Sequence, residues 1–254
     1  MPKLFTDKRI QKKENHHVIQ GEDARYLLNI LRMQKGERIT VGDGDFIDHV
    51  GEITELSQDS VTLQWISHEK NQAEPPYEAV LYQGILKGEK MDWVIQKSVE
   101  LGVSKIVPFT SSRSVVRLDG KDVKKKTERW EKIAHEASRQ SGRGKVPLIS
   151  IPRTFSDAIK EAVNQSQYTF IPWEKEEKCA VQEFLKGCEG ESPSISFFIG
   201  PEGGFSEAEI QLSQKAGITP VTLGKRILRA ETAGLSVLSM LSYRFEDFSC
   251  IIKH

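Results

Sequence analysis

The sequence predicts an α/β protein in which a small β-barrel with one helix precedes a mostly parallel sheet covered by helices. Three observations indicate this class: short β-rich segments in residues 1–70, a polar and proline-containing stretch at 71–76, and alternating strands and helices from Tyr77 onward. With 254 residues, of which 38% are hydrophobic, the chain can bury a core without disulfides or a structural metal. We therefore expect two domains, residues 1–70 and 77–254, joined by a linker at 71–76.

The first domain is predicted from two strands and one helix. Residues 46–53 and 60–66 are rich in β-branched side chains, show period-two alternation in places, and follow a glycine and aspartate turn at 42–45. Between residues 21 and 33, Tyr26, Leu27, Ile30 and Leu31 recur at helical spacing. A small barrel interrupted by one short helix is the simplest arrangement of these segments.

The second domain is predicted from a regular alternation of elements. Strands are expected at 78–86, 104–109, 146–151, 167–171, 194–199 and 218–223, with helices at 90–101, 121–140, 156–164, 178–186, 206–216 and 230–245. Strands connected by helices form parallel sheets with helices on both faces. Because ligands of such sheets bind outside the carboxyl ends of the strands, the loops there are the place to look for a site.

Composition excludes several classes of protein. No apolar run approaches the roughly 18 residues that span a bilayer, and the N-terminus lacks the apolar segment of a secretory signal. Three cysteines, Cys179, Cys188 and Cys250, are an odd number without close spacing, and the histidines show no metal-binding pattern. We expect a cytoplasmic protein with no membrane contact and no metal.

The net charge is zero, but two segments are basic. Residues 113–145 contain eleven basic and five acidic side chains, a local charge of +6, and residues 1–40 contain nine and five, a local charge of +4. Such segments are either solvated helix faces or surfaces that contact an anionic partner, and charge alone leaves both open.

The first unusual loop, residues 200–204, joins a predicted buried strand to a helix that opens with a capping box, Ser206 and Glu209. Gly200, Gly203 and Gly204 permit close backbone approach around Pro201 and Glu202. One alternative is a tight turn between the strand and the helix, but a turn alone does not require all three glycines. A second alternative is a phosphate site, because glycine loops that precede helices bind anions. Because the Glu202 carboxylate would repel a phosphate, a neutral or cationic ligand fits better.

The second unusual loop follows the last predicted strand. Leu223, Gly224, Ile227 and Leu228 offer backbone and apolar surface for a flat ligand, whereas Lys225, Arg226 and Arg229 carry charge suited to an anionic one. An ordinary basic loop remains the alternative.

At these two loops the sequence resembles the SPOUT methyltransferase superfamily, and in particular the bacterial 16S ribosomal RNA uridine N3-methyltransferase family. The motifs GPEGG, at 200–204, and LGKRILRAETA, at 223–233, carry the resemblance. Further similarity lies at 17–19, 31–36, 87–92, 97–102 and 112–114, so that it spans nearly the whole chain.

The resemblance implies a PUA-like N-terminal barrel, a C-terminal α/β domain with a deep trefoil knot, a homodimer, and S-adenosyl-L-methionine as the methyl donor. The sulfonium of this donor is cationic and it has no phosphate, which agrees with Glu202. Expected cofactor-binding residues lie in both loops: Gly200, Pro201, Glu202, Gly203, Gly204, Leu223, Gly224, Ile227 and Leu228.

The implied substrate is 16S ribosomal RNA in the small subunit, with a uridine methylated at N3. Arg226 and Arg229 are the expected catalytic residues, because a cation can stabilise negative charge on the uracil oxygens. Expected RNA-binding residues come from both basic segments: Arg9, Arg25, Arg32, Arg113, Lys124, Lys125, Arg139 and Arg143.

Two points stay open on the sequence alone. Neither Glu231, which could cap its helix, nor His135 on a charged helix can be assigned as a general base. The alternatives to this activity are a SPOUT enzyme that acts on another base or on a ribose, and a non-catalytic ribosome assembly factor that keeps the loops as structure.

Overall fold

The computed structural model of the protein describes residues 1–6, 10, 15–114 and 120–246. The chain forms two compact units. The first contains Met1–Glu74 together with Ser138–Val146, and the second contains Pro75–Ala137 and Pro147–His254. The predicted break near residue 70 thus lies close to the division at 74 and 75, but the first unit also recruits a later segment of the chain.

The first unit is a five-stranded sheet with one helix. Its strands are β1 (Lys3–Phe5), β2 (His16–Gln20), β3 (Arg38–Gly42), β4 (Ile47–Leu56) and β5 (Ser60–Lys70), and helix α1 (Gly21–Arg25) continues into a π-helical turn (Tyr26–Ile30). The order is β1-β3-β4-β5-β2, with only β1 and β3 parallel. Leu27, Ile39, Ile53 and Leu63 lie in its core.

Two irregularities bend β4 against β5. The register shifts between Val50 and Gly51 and between Ile53 and Glu55. A Cβ at Gly51 would stand 3.0 Å from the Leu63 Cβ, so the strands approach there as closely as glycine permits. Such bulges increase the local twist and curve a sheet around its core.

Residues 71–74 of the predicted linker at 71–76 are hydrogen-bonded within the first unit. Asn71 is buried, and its side-chain amide donates to Asp48 at 2.8 Å and to the Gly142 carbonyl at 2.9 Å. Glu74 accepts hydrogen bonds from both ends of the Arg143 guanidinium at 2.8 and 2.9 Å. Residues 71–74 therefore help to close this unit around the segment Ser138–Val146.

The second unit is a seven-stranded parallel sheet with helices. Its strands are β6 (Glu78–Gly84), β7 (Lys105–Thr110), β8 (Leu148–Ile149), β9 (Arg153–Thr154), β10 (Tyr168–Pro172), β11 (Ser194–Ile199) and β12 (Thr219–Val221). Its helices are α2 (Lys90–Glu100), α3 (Gly120–Gln140), α4 (Phe155–Gln165), α5 (Val181–Lys186), α6 (Glu207–Lys215) and α7 (Ala230–Phe245). Helix α3 crosses the division between the units at residue 137. The predicted alternation is confirmed, with most ends displaced by a residue or two.

In the strand order of this sheet, β6 and β11 are neighbours at the centre, and the loops that follow them leave from the same end of the sheet. The order runs β12-β10-β11-β6-β7-β8, and β9 pairs with β7. The chain builds one half outward from β6 and then crosses to β10 and β11 on the other side. The boundary between β6 and β11 is therefore a topological switch point, where the loops leaving the carboxyl ends of the two strands form a crevice.

Aromatic packing stabilises this boundary. The rings of Tyr82 in β6 and Phe198 in β11 stack with centroids 4.5 Å apart and an interplanar angle of 14°. Phe155 and Phe205 extend the same buried cluster. Offset stacking of rings adds to the stabilisation from their buried area, so the two strands that carry the crevice are firmly held.

Candidate functional site

The glycine loop, defined here as residues 200–205, follows β11 directly. Gly200 and Pro201 are buried, whereas Glu202 and Gly203 are exposed. The Gly204 N–H donates to the Pro201 carbonyl at 2.9 Å, and Gly204 has a φ of 65°. Because that conformation strains any residue with a Cβ, glycine is required at this position by the backbone itself.

Close approach by β6 requires a second glycine, one that lies outside both predicted loops. A Cβ at Gly84, the last residue of β6, would lie 2.5 Å from the Pro201 nitrogen. No side chain fits there, so the end of β6 presses directly on the glycine loop. The only clue in the sequence is a glycine at the end of a predicted strand, and such a glycine can equally mark a bulge or a tight bend.

The loop after β12, residues 222–229, is anchored at its start and exposed at its tip. Thr222 donates from its backbone N–H to the Cys179 carbonyl at 2.8 Å, and Gly224 has a φ of 103°. Beyond this point Arg226 is exposed and the Ile227 side chain is 79% exposed. The apolar Ile227 thus stands in solvent next to charged residues.

Lys90 connects the two loops. Its ammonium lies 3.5 Å from Glu202 Oε1 and 3.9 Å from Glu231 Oε1, and Glu231 in turn lies 4.0 Å from Arg229 Nη1. Glu202 Oε1 also accepts from the Lys87 backbone N–H at 3.1 Å. The loop that opens helix α2 is therefore a third wall of the site, although in the sequence it contributed only to the family resemblance.

These contacts fix the charge of Glu202. Burial raises the pKa of Glu202, but the backbone N–H groups of Glu202 and Lys87 and the Lys90 ammonium outweigh it, so the pKa lies below its ordinary value. Glu202 is thus ionised at neutral pH and its charge already faces a cation of the same chain.

The segment 111–114 is joined to the glycine loop by two residues. Arg113 Nη1 donates to the Gly203 carbonyl at 3.0 Å, and a Cβ at Gly203 would stand 3.1 Å from the Arg113 Cβ. Glu209 Oε1 accepts from the Ser112 N–H at 2.8 Å, while Oε2 accepts from the Ser206 N–H at 2.8 Å. The predicted capping box of Ser206 and Glu209 is confirmed.

Glu174 reaches the same loop from the end of β10. The preceding residue, Trp173, donates from its N–H to the Val221 carbonyl at 2.9 Å, which fixes the chain between β10 and β12. Both Glu174 carboxylate oxygens lie 3.7 Å from the position of a Cβ on Gly204. Glu174 was not among the predicted site residues, because its neighbours in the sequence form an ordinary charged stretch.

The residues predicted to contact RNA have different environments. Arg25, Arg32, Arg113, Lys124 and Lys125 are exposed. Arg139 is half-buried; its guanidinium lies 3.9 Å from the centre of the Tyr26 ring, and its Nε donates to the Lys3 carbonyl. Arg9 lies outside the described residues.

Arg143 requires a correction. It was predicted to bind RNA, but its side chain is only 4% exposed and forms a bidentate ion pair with Glu74. A guanidinium that is buried and satisfied in this way is not available to a phosphate. The positive charge of Arg143 neutralises the Glu74 carboxylate inside the first unit.

The residues of the site fit the methyl donor implied by the resemblance. The backbone of Gly204 and Gly224 is free of side chains, and a Cβ at Gly224 would meet no atom within 4 Å. Exposed apolar surface at Ile227 suits a flat ring, and carboxylates suit cationic groups. In the described part of the chain no group of metal-ligating side chains is found, and no helix is long and apolar enough to cross a membrane.

Comparison with known proteins identifies relatives over nearly the whole chain. An RNA methyltransferase domain matches residues 73–242, and an RNA methyltransferase PUA domain matches residues 19–64. The chain is 36% identical over 231 residues to the Ribosomal RNA small subunit methyltransferase E of Bacillus subtilis, covering 90% of each protein. The corresponding protein of Mesomycoplasma hyopneumoniae is 32% identical, covering 90% of this chain and 95% of the relative.

Solved structures agree with these matches. The Neisseria gonorrhoeae Ribosomal RNA small subunit methyltransferase E bound to S-adenosyl methionine superposes with a TM-score of 0.86 at 32% identity, over 98% of this chain and 100% of that one. A Legionella pneumophila putative methyltransferase with bound cofactor gives 0.84 at 31% identity, over 95% and 96%. The predicted fold class, a PUA-like barrel followed by a trefoil-knot SPOUT domain, is confirmed. With both domain models and full-length relatives matched, the chain belongs to the ribosomal RNA small subunit methyltransferase E family.

Proposed function

We propose that this protein is an S-adenosyl-L-methionine-dependent methyltransferase that methylates N3 of a specific uridine in 16S ribosomal RNA. The observation that carries the proposal is the convergence of the glycine loop and residues 222–229 at the carboxyl ends of the strands, where Lys90 lies between Glu202 of the glycine loop and Glu231 of α7, and Glu231 lies 4.0 Å from Arg229. The sequence and structural similarity to ribosomal RNA small subunit methyltransferases supports methylation of ribosomal RNA.

The donor would be held by the backbone of both loops. Gly200, Pro201, Glu202, Gly203 and Gly204 form one side, and Leu223, Gly224, Ile227 and Leu228 form the other. When bound, S-adenosyl-L-methionine supplies an electrophilic methyl group. The chain contributes a rigid floor, since Gly84 packs directly on Pro201 and Ser206 with Glu209 fixes the start of α6.

Arg226 and Arg229 would act on the uridine. Methylation removes the N3 proton, and the negative charge that develops spreads onto the flanking carbonyl oxygens. A guanidinium stabilises such charge while remaining ionised itself. Arg226 is exposed and the Arg229 side chain is 81% exposed, so both can reach a substrate outside the loop. Because N3 lies on the Watson–Crick edge, the uridine must be unpaired or extruded.

The remaining cations would position the RNA. Arg25 and Arg32 in the first unit, and Lys124 and Lys125 on α3, are exposed and separated along the chain. Arg113 touches the Gly203 carbonyl and is exposed, so it can contact RNA beside the donor. Contacts spread over two units favour a large structured substrate, and we expect the assembled small subunit to be methylated faster than free oligonucleotides.

We further propose a cytoplasmic homodimer formed through α7. Ala233 and Gly234 are buried within the chain, whereas Thr232, Ser239 and Tyr243 recur on one exposed face, with Tyr243 85% exposed. A face of small residues next to an exposed aromatic ring permits close packing of a second copy. Sedimentation of the wild type and of Ser239→Arg should show a dimer and a monomer respectively, and a fully active wild-type monomer would contradict the proposal.

The methylation itself is tested with subunits from a strain that lacks the gene. These subunits are incubated with purified protein and isotopically labelled S-adenosyl-L-methionine, and the nucleosides of the digested 16S RNA are identified by mass spectrometry. Labelled N3-methyluridine is expected. A different labelled nucleoside would show another SPOUT activity, and the absence of label together with defective subunit assembly in the strain would favour a non-catalytic factor.

A further inference from the structure

One carboxylate, Glu202, lies in the glycine loop and another, Glu174, lies beside it, and they differ in what they contact. Glu202 is engaged within the chain, by the Lys87 N–H at 3.1 Å and the Lys90 ammonium at 3.5 Å. Its charge therefore serves in large part to join the loop before α2 to the glycine loop. A cationic ligand would have to compete with Lys90 for this carboxylate.

Glu174 has no such partner. Within residues 1–6, 10, 15–114 and 120–246, no hydrogen bond or ion pair involves its carboxylate, and the residue is exposed. Its backbone is nevertheless fixed, because Trp173 N–H bonds to the Val221 carbonyl at 2.9 Å and the Glu176 N–H returns to the Trp173 carbonyl at 3.1 Å. The carboxylate is thus an unpaired charge on an anchored turn.

The position of Glu174 relative to Gly204 indicates what it can reach. Oε1 and Oε2 are each 3.7 Å from the place where a Cβ of Gly204 would stand. With a φ of 65°, Gly204 turns its side-chain position toward Glu174, and only the absence of a side chain leaves that space open. A molecule lying on the backbone of Gly204 would face both carboxylate oxygens.

We propose that Glu174 binds a cationic group of the methyl donor. This inference rests on the proposed function and adds a residue that neither loop motif contains. S-adenosyl-L-methionine carries two cations, the α-ammonium and the sulfonium, and both meet the same chemical requirement for an adjacent carboxylate. Glu202 then acts as a positioning residue that holds the loop, whereas Glu174 makes the contact.

The test compares two ligands that differ in one charge. S-adenosyl-L-homocysteine keeps the ammonium but lacks the sulfonium, so isothermal titration with both ligands separates the two cations. Glu174→Gln should lower the affinity for S-adenosyl-L-methionine about five- to tenfold, the range expected for a charge-assisted hydrogen bond that is partly screened by solvent. An equal loss of affinity for both ligands would show that Glu174 contacts the ammonium. A loss of affinity for S-adenosyl-L-methionine alone would show that it contacts the sulfonium.

Control variants distinguish a failure of this inference from a failure of the proposed function. Glu177→Gln removes an exposed carboxylate three residues further along the chain and should leave both affinities unchanged. Glu174→Lys should weaken binding further than Glu174→Gln, and unchanged thermal unfolding of both variants shows an intact fold. If the wild type binds the donor and Glu174→Gln binds it equally well, the inference is overturned while the proposed function stands. If the wild type binds neither ligand, the proposed function fails first.

Discussion

Arg226 lies in the exposed part of a loop whose first residues are tightly held, and Arg229 is the N-cap residue of α7 at the end of that loop. The Thr222 N–H donates to the Cys179 carbonyl, and the Thr222 carbonyl accepts from the Val181 N–H, so the exposed arginines project from a fixed support. A permanently charged guanidinium gains nothing by approaching a sulfonium but stabilises a developing oxyanion. Their effect should therefore appear in transfer and RNA placement rather than in donor affinity.

We predict that Arg226→Ala and Arg229→Ala each lower the single-turnover methylation rate by about 10²–10³ with saturating donor. The Kd of the donor should change little, as measured by titration. Lys at either position should restore the rate poorly where the contact is bidentate. Near-normal rates, or a loss confined to donor affinity, would show that these arginines have another role.

Gly203 makes a different kind of contact from Gly204. Its missing Cβ would meet Arg113 at 3.1 Å, so a side chain there must displace the segment 111–114. We predict that Gly203→Val weakens donor binding at least about tenfold by moving this segment and the loop apart, while circular dichroism shows retained secondary structure. Gly187→Ala, whose Cβ would make only an ordinary 3.5 Å contact, is the matched control and should bind normally.

For individual residues, the two loops of the site could be predicted from the sequence, but most of the residues that contact them could not. Glycine spacing, one carboxylate and the basic residues after β12 were visible without a structure. Lys90, Gly84 and Glu174 were not, because each acquires its role from strands far away in the chain. Arg143 shows the converse error, since a charge looks the same in a sequence whether it faces RNA or a buried glutamate.

Among the elements, the start of α6 joins local and long-range stabilisation. Glu209 caps its own helix through Ser206 and also accepts from Ser112. Burial raises the pKa of Glu209, but the N–H groups of Ser206 and Ser112 and the serine hydroxyls lower it more, so the pKa lies below 4.5. The stabilisation is therefore present above pH 4.5 and is lost as the pH falls through the folded-state pKa.

We predict that Glu209→Gln destabilises the second unit by about 1–2 kcal/mol at pH 7, because the amide replaces one of two acceptor oxygens. The difference from the wild type should shrink in acid, as the pH falls through the lowered folded-state pKa of Glu209. Urea unfolding at pH 7 and in acid measures both effects. Glu207→Gln, in the same turn but exposed, should behave much more like the wild type; a constant difference at all pH values would argue against an ionised cap.

Element positions were largely predictable, and their exceptions have local causes. The alternation from β6 to α7 follows from hydrophobic periodicity, and Ser206 with Glu209 is a capping box legible in the sequence. Strand β8, expected over 146–151, is only Leu148–Ile149 because Pro147 and Pro152 bracket it and cannot donate to the ladder. Residues 71–76 were predicted to be an interdomain linker, because polarity does not reveal the partners of Asn71.

For the whole molecule, the sequence predicts domains at 1–70 and 77–254, whereas the compact units of the structure follow a discontinuous chain path. The pattern of strands separates a β-rich beginning from an α/β remainder. It carries no signal that residues 138–146 return to the first unit, since this depends on side chains 64 or more positions apart. The knot was expected only from the family resemblance, because physical rules for connections make threading very rare.

The pair of Glu74 and Arg143 tests this organisation. Burial raises the pKa of Glu74, but the Arg143 guanidinium and the N–H groups of Gly144 and Lys145 lower it more. We predict that Arg143→Met destabilises the first unit by about 3 kcal/mol at pH 7, because a buried carboxylate loses its cation. The loss should fade as the pH falls through the folded-state pKa of Glu74, below 4.5.

Urea unfolding followed by Trp65 fluorescence would measure this effect. Lys145→Met, which keeps the backbone bond to Glu74, is the control and should cost far less. If Arg143→Met were as stable as the control but bound ribosomal RNA more weakly, the assignment of Arg143 to RNA would have to be restored.

The discontinuous first unit has a consequence for synthesis. Its sheet is complete once residue 74 has emerged from the ribosome, but Arg143 follows 69 residues after Glu74. At about 5–20 residues per second, translation leaves Glu74 without its cation for roughly 3 to 14 seconds. During that interval the nascent first unit is held by its own strands alone, and the ion pair with Glu74 forms only after the whole of α3 and the residues up to Arg143 have been made.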